Sequence, residues 1–245
     1  MSQPNLSTPV RILLGLVLAI LSGLALVLAF PPYEIWPLAL IGLVPMLIAQ
    51  FRIMPPKLSS LASAVGVAVW LQGYLGPVFA PVGTFMVWLP LIVGLLSLFL
   101  DAGLRPFHSK TDYHWFVLSG IANWSGSEMI RLFLPIAGTW AFIAHPFYRQ
   151  LWLIQPVSIF GIIGMGAMVI MVNYTLALLL MGWLDTRWKL AADAPAVPAG
   201  VLRRWAIIGG SVLVAWVGLS LVLLNVPLNT PAVKVAAIQP SVSPI

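Results

Sequence analysis

Long apolar stretches with few or no charged residues run through most of this 245-residue sequence. The first spans residues 12–30 and contains no charged side chain. A helix needs about 20 mostly apolar residues to cross the hydrocarbon core of a bilayer, and seven stretches of about that length occur. Only 7% of the residues are charged, whereas soluble domains have about 25%. The sequence therefore predicts an all-α integral membrane bundle. It excludes a soluble enzyme, a disordered chain and a nucleic-acid binder.

Prolines and polar residues divide the apolar stretches. Pro31 and Pro32 end the first, because proline lacks an N–H donor and clashes with the preceding helical turn. The stretch 155–184 would be roughly 45 Å long as one helix, which exceeds the hydrocarbon core of about 30 Å, so we expect it to be broken or tilted. The seven expected spans are 12–30, 35–51, 58–79, 84–100, 113–134, one within 155–184, and 205–224.

The composition changes after residue 226. Prolines and an asparagine occupy 227–231, and the apolar run 233–239 that follows is typical of a short buried β-strand. A lone strand has no partner for its backbone hydrogen bonds. We therefore expect a multi-span membrane domain over 1–226. Residues 227–245 are expected to be a linker and the isolated first strand of a truncated soluble domain.

The basic residues predict an orientation, because Lys and Arg in short loops are retained on the cytoplasmic side. With a cytoplasmic N-terminus, three basic residues lie outside (Arg131, Arg149 and Lys234) and nine lie inside. The C-terminal residues are then extracytoplasmic. The nine are Arg11, Arg52, Lys57, Arg105, Lys110, Arg187, Lys189, Arg203 and Arg204.

Two charged residues lie within the fifth expected span. Glu128 and Arg131 are three positions apart, so they share one helix face and can pair. Ionisable residues within membrane spans are costly and often functional. Two interpretations remain open: a structural ion pair at the membrane interface, or a polar groove that receives a lipid headgroup or ester.

Aromatic residues are concentrated in 135–154, where Trp140 and His145 lie. Aromatic side chains favour the membrane–water interface, so the segment is either an interfacial belt or the mouth of a lipid site. His145 has no nearby carboxylate or nucleophile in the sequence with which to act as a general base.

The sequence offers no complete catalytic site. It has no cysteine, and its histidines lack metal-ligand spacing. The glycines at 161, 164 and 166 have no Lys-Ser or Lys-Thr after them, which argues against nucleotide binding. We expect neither a metal nor a cofactor.

Four groups of residues, taken in order, resemble one family. Residues 30–39 read FPPYEIWPLA and are followed by LVP at 43–45, and Trp124 precedes Glu128 and Arg131 by one helical turn or two. The third group begins with GTW at 138–140 and continues through Gln155, Ser158, Gly161, Gly164 and Asn173, and the fourth is VAAIQP at 235–240. This ordered set resembles the apolipoprotein N-acyltransferase family. The resemblance implies that the last group is the first strand of a missing α/β nitrilase-like domain.

The resemblance implies a bacterial inner-membrane enzyme that moves a fatty acyl chain from a phospholipid to the amino group of a diacylglyceryl-modified lipoprotein cysteine. It also implies a Glu-Lys-Cys triad in the nitrilase-like domain, which has no counterpart in this cysteine-free sequence. We therefore expect the membrane part of such an enzyme, inactive alone and completed by a nitrilase-like domain, which could be separately encoded. The lipid-binding candidates are Glu128, Arg131, Trp140, His145 and Gln155.

An alternative from a different functional class is a non-enzymatic membrane anchor or docking subunit for another envelope enzyme. It requires only the helical bundle and its basic loops. A transporter is less favoured, because few charged residues lie within the spans and no internal repeat is evident.

Overall fold

A computed structural model describes residues 6–134, 138–188 and 194–227. The described residues are helical, with no β-strand among them, and the strand expected at 233–239 lies outside them. The α-helices are α1 (Thr8–Ala29), α2 (Val44–Ile48), α3 (Ser60–Phe79), α4 (Thr84–Leu100), α5 (Leu104–Lys110), α6 (Phe116–Leu132), α7 (Leu151–Ile154), α8 (Val157–Arg187) and α9 (Ala199–Leu224). Short 3-10 helices lie at Trp36–Leu40, Pro56–Leu58, Ala80–Val82 and His145–Phe147, and a π-helical turn at Ala49–Ile53.

Six helical segments in the described residues are long and apolar enough to cross a membrane. The fifth expected span, 113–134, is not among them; it corresponds to α6, which has 17 residues and so falls short of the usual 20 or so. The all-helical membrane bundle is confirmed, and the count of seven is not. The six segments are Thr8–Ala29, Trp36–Ile53, Pro56–Phe79, Val87–Lys110, Val157–Arg187 and Ala199–Leu224.

The second of these segments is a composite of three helix types. Its 3-10 helix, α2 and the π-helical turn follow one another from Trp36 to Ile53. Such a change of helix type leaves carbonyl groups without intrahelical partners, which is tolerated in membranes only where protein groups satisfy them. Arg11 donates from Nε to the Ile53 carbonyl at 2.8 Å and from Nη2 to the Met54 carbonyl at 3.1 Å. Arg105 donates to the Gln50 carbonyl at 3.3 Å.

The longest apolar stretch is interrupted, as its length predicts. The short helix α7 precedes α8, and Gly161 within α8 has φ of +67°. Only glycine adopts such a backbone conformation without steric cost, so Gly161 allows the chain to turn while the rest of α8 continues to Arg187.

Close helix contacts build the bundle around α3, which packs against α1 and α4. A Cβ atom on Gly23 of α1 would lie 2.6 Å from the carbonyl oxygen of Gly66 on α3. Small residues at this crossing therefore let the two backbones approach, as is common in membrane helices. On the other side of the bundle, α6 and α9 both pack against α8.

Two buried polar residues link the second span to α8. Asn173 donates to the Ala39 carbonyl at 2.8 Å and accepts from the Leu43 amide at 2.9 Å. Arg52, whose side chain is fully buried, donates to both carboxylate oxygens of Asp185 at 2.8 and 2.9 Å and to the Tyr113 hydroxyl at 2.5 Å. These contacts hold α8 against the second span, and α8 in turn packs against the helix α6 that carries Glu128 and Arg131.

Candidate functional site

Glu128 is fully buried and joins α6 to the loop that follows it. Its Oε1 atom accepts a hydrogen bond from Trp124 Nε1 at 3.0 Å and another from the Ile143 amide at 2.9 Å. Trp124 lies one helical turn before Glu128, whereas Ile143 lies beyond the end of α6. The carboxylate therefore holds the loop backbone against the helix.

The second carboxylate oxygen of Glu128 lies against a glycine of α8. Oε2 is buried and has no hydrogen-bond partner among the described residues. A Cβ atom on Gly166 would lie only 3.0 Å from Oε2. Gly166 thus leaves the space into which the carboxylate packs.

Arg131 lies at the end of α6 and contacts the same loop. Its Nη1 donates to the Trp140 carbonyl at 2.9 Å, and its guanidinium carbon lies 5.0 Å from the centre of the Phe142 ring. Its Nη2 is 3.7 Å from Glu128 Oε1. The predicted ion pair therefore exists as a long contact. Each member also binds the loop backbone, which spacing along α6 could not reveal.

The loop over 138–150 folds back onto the bundle. Phe147 is buried, with its ring centre 5.7 Å from that of Trp36. Farther along, the carboxylate of Glu34 accepts hydrogen bonds from the Tyr148 hydroxyl and from Arg149. This second attachment is largely exposed, since 65% of the Arg149 side chain is accessible. The loop is therefore held by a buried carboxylate at one side and a surface ion pair at the other.

Trp140 and His145, both in this loop, differ in the rings that they contact. Trp140 is 44% exposed, and its ring centre is 5.6 Å from that of Phe79. The His145 ring stacks on Phe142 at 5.9 Å. Burial, and to a smaller extent the nearby Arg131, lower the pKa of His145 below its ordinary value. A neutral imidazole follows at neutral pH.

Gln155 lies away from Glu128 and Arg131, at the junction of α7 with α8. Its side-chain Nε2 donates to the Leu151 carbonyl at 2.9 Å, and its backbone amide donates to Ser220 Oγ at 3.2 Å. In this position it connects α7 to α9.

A cavity of about 390 Å³ lies between α4 and α6, with α3 behind it, and we call it the slot. Of the five predicted residues, Arg131 is the one that lines it. Arg131 marks one end and Asp101 the other, and the exposed side chains of Val93, Leu96 and Leu100 flank the opening. The lining residues are Met46, Gln50, Ser63, Val67, Trp70, Leu71, Val93, Leu96, Ser97, Leu100, Asp101, Asn123, Trp124, Ser127, Ile130, Arg131 and Tyr174.

Sequence reasoning did not identify most of the slot. Gln50 and Trp70 are almost fully buried, yet each has an N–H donor without a hydrogen-bond partner among the described residues. Their presence in apolar stretches is visible in the sequence, but the cavity that they share forms only when several helices pack together. Within the described ranges, no group of three or more His, Cys, Asp or Glu could hold a metal ion.

Comparison with known proteins gives two matches. The apolipoprotein N-acyltransferase N-terminal domain family matches residues 22–175. A protein of Geobacter metallireducens named apolipoprotein N-acyltransferase is 31% identical over 178 residues, which cover 68% of this chain and 34% of that protein. The chain thus spans about a third of that relative's length. The family match includes Glu128, Arg131 and the loop that they bind. The chain belongs to the family of the apolipoprotein N-acyltransferase N-terminal domain.

Proposed function

We propose that this chain is the membrane domain of an apolipoprotein N-acyltransferase-like protein, and that it binds the phospholipid from which the acyl group is transferred to a lipoprotein. The proposal rests on the family match and on the several apolar helices of the bundle. It includes a bacterial inner-membrane location, with a cytoplasmic N-terminus and the Arg131 end of the slot on the extracytoplasmic side.

The slot is the observation that carries this proposal. Its middle is walled by apolar side chains, including Val67, Leu71 and Leu96, and its opening lies beside exposed apolar residues of α4. A bilayer supplies acyl chains to such an opening directly. One acyl chain occupies the slot while the rest of the lipid remains in the membrane.

Arg131 then meets the polar part of the lipid. Arginine binds phosphate through charge-assisted hydrogen bonds, and its planar group suits two oxygens at once. Glu128 and the Trp140 carbonyl hold the guanidinium at the mouth of the slot. The phosphodiester or the ester oxygens beside it are the groups that Arg131 contacts.

The bond-breaking chemistry is assigned to a catalytic domain that acts with this one. The family resemblance implies a cysteine nucleophile, and this sequence contains no cysteine. In this proposal the chain presents the phospholipid and is inactive alone. The nitrilase-like domain supplies the Glu-Lys-Cys triad, and the diacylglyceryl lipoprotein is the acceptor.

Lipid binding is tested with the purified full chain in nanodiscs that contain phosphatidylglycerol and a diacylglycerol with the same chains. Arg131→Gln is expected to reduce retention of phosphatidylglycerol relative to diacylglycerol about tenfold, because a charge-assisted hydrogen bond is lost. Arg149→Gln is the control, since Arg149 is exposed and pairs with Glu34. Equal effects of the two substitutions would refute the role of Arg131.

Activity is tested by co-expressing the chain with a nitrilase-like domain that carries the triad, in a strain depleted of its own N-acyltransferase. Mass spectrometry of lipoprotein N-termini should show acylation only when both are present. If a lipid-binding chain supports no acylation with any matching catalytic domain, the acyltransferase role is wrong and an anchoring role is favoured.

A further inference from the structure

The length of the slot follows from the helices that line it. Arg131 and Asn123 are eight residues apart on α6, and Asp101, which directly follows α4, is eight residues beyond Val93. Each pair covers about 12 Å at 1.5 Å per residue. Asn123 and Val93 lie at the same level, since each is nine residues from the end of its helix at the Arg131 side, Leu132 or Thr84. The two segments therefore join into a slot about 24 Å long.

Polar side chains line the Asp101 end of the slot. Ser97 lies one turn before Asp101, the residue that follows α4, and Ser63 of α3 lines the slot with them. Gln50 also lines this end, and its backbone carbonyl accepts a hydrogen bond from the Arg105 guanidinium. The Gln50 side chain is 1% exposed, and its Nε2 has no partner among the described residues. We call Gln50, Ser63, Ser97 and Asp101 the polar stop.

We propose that the polar stop limits the acyl chain that the slot accepts, so that this domain selects its phospholipid by chain length. This inference rests on the proposed function, because it takes the occupant to be one acyl chain of a phospholipid whose headgroup lies at Arg131. It adds a specificity determinant at the end of the slot opposite to that headgroup.

Geometry sets the expected length. An extended polypeptide covers 3.3–3.6 Å over three backbone bonds, so an extended hydrocarbon covers about 1.2 Å per bond. A slot of about 24 Å holds about 20 bonds, which corresponds to a chain of about 16–20 carbons once the ester is placed beside Arg131. A longer chain must press its end against the polar stop, which costs the hydration of those groups.

A chain that is too short is disfavoured for a different reason. It leaves a gap beside part of the apolar wall, and the side chains that line this gap lose their van der Waals contacts. A mismatch of about four carbons in either direction is expected to reduce retention about tenfold, since each methylene makes several such contacts.

Three substitutions on α4 measure the slot directly. Tryptophan at Val93, Leu96 or Leu100 blocks it at about 12, 16 or 22 Å from the Arg131 end. The preferred chain should shorten most for Val93→Trp, less for Leu96→Trp and least for Leu100→Trp. Leu95→Trp is the matched control, because Leu95 is exposed to a similar extent as Leu96 but does not line the slot.

The experiment uses the full chain and an equimolar mixture of phosphatidylglycerols whose saturated chains range from about 12 to about 22 carbons, which brackets the slot. Native mass spectrometry gives the ratio of retained lipids. The unsubstituted chain should prefer the middle of the range, and Asp101→Ala should broaden the profile toward longer chains.

The outcomes separate this inference from the proposed function. If Leu96→Trp reduces phospholipid retention equally at all chain lengths, the length limit is wrong, but lipid binding in the slot is still supported. A profile that shifts equally with Leu95→Trp and Leu96→Trp also overturns the length limit. If no variant alters phospholipid retention, the slot does not bind the lipid, and both proposals fail.

Discussion

Removal of the Glu128 side chain tests how the loop over 138–150 is held. Glu128→Ala leaves two donors, Trp124 Nε1 and the Ile143 amide, without the oxygen that they share. An unsatisfied buried donor costs about 1–3 kcal/mol, so two such donors together cost about 2–6 kcal/mol. We expect the free energy of unfolding to fall by about 2–6 kcal/mol. Glu128→Gln keeps an acceptor oxygen and should cost about half as much.

A matched control is available in the same loop. Glu34→Ala removes the other carboxylate that holds this loop, but its partner Arg149 is 65% exposed. Exposed ion pairs contribute about 0–1 kcal/mol, so Glu34→Ala should cost less than about 1 kcal/mol.

The assay is reversible unfolding of the purified chain in mixed micelles as the fraction of denaturing detergent rises, followed by circular dichroism. Trypsin cleavage at Arg149 adds a local readout. Glu128→Ala should make the peptide bond after Arg149 accessible to trypsin before global unfolding, because the loop has lost its buried attachment. Equal losses of stability for Glu128→Ala and Glu34→Ala would refute the reasoning.

Three further predictions concern Gly166, the Arg52–Asp185 pair and His145. Gly166→Ala places a Cβ about 3.0 Å from Glu128 Oε2, so it should destabilise the chain by about 1–3 kcal/mol but much less in the Glu128→Ala background, as detergent unfolding of the four variants would show. Arg52→Leu or Asp185→Leu should each cost about 3–5 kcal/mol because one buried charge loses its partner, whereas the double variant should cost less than either. A double-mutant cycle checks this, and additive losses would contradict it. Because the pKa of His145 is lowered in the folded state, the unfolded state binds the proton first, and the unfolding midpoint should fall as pH drops below about 6.5. His145→Gln should weaken that dependence, and a pH profile identical to that of the unsubstituted chain would contradict it.

The sequence predicted the helices better than the contacts between them. Uncharged apolar stretches have few alternatives to membrane helices, so the bundle and the break in the 155–184 stretch followed directly from length and composition. The fifth expected span is the most polar of the seven, because it contains Asn123, Glu128 and Arg131. In the structure it forms the 17-residue α6.

The candidate site was predicted only as far as helical spacing reaches. Positions three apart place Glu128 and Arg131 on one face, and the structure brings them within 3.7 Å. The Ile143 amide that Glu128 binds lies 15 residues away, beyond the end of the helix. The pairing of Arg52 with Asp185 spans 133 residues. Such contacts depend on how helices pack, which periodicity within one helix does not specify.

The proposal of an acyl chain in the slot is tested most directly by photo-crosslinking. A phosphatidylglycerol with a diazirine at the end of one acyl chain of about 16–18 carbons reports where that end lies. The proposal predicts adducts on the α4 peptide that contains Ser97 and Asp101, and their loss on Leu96→Trp substitution but not on Leu95→Trp. Adducts spread over exposed apolar residues such as Leu13 of α1 and Val214 of α9, unaffected by either substitution, would contradict it.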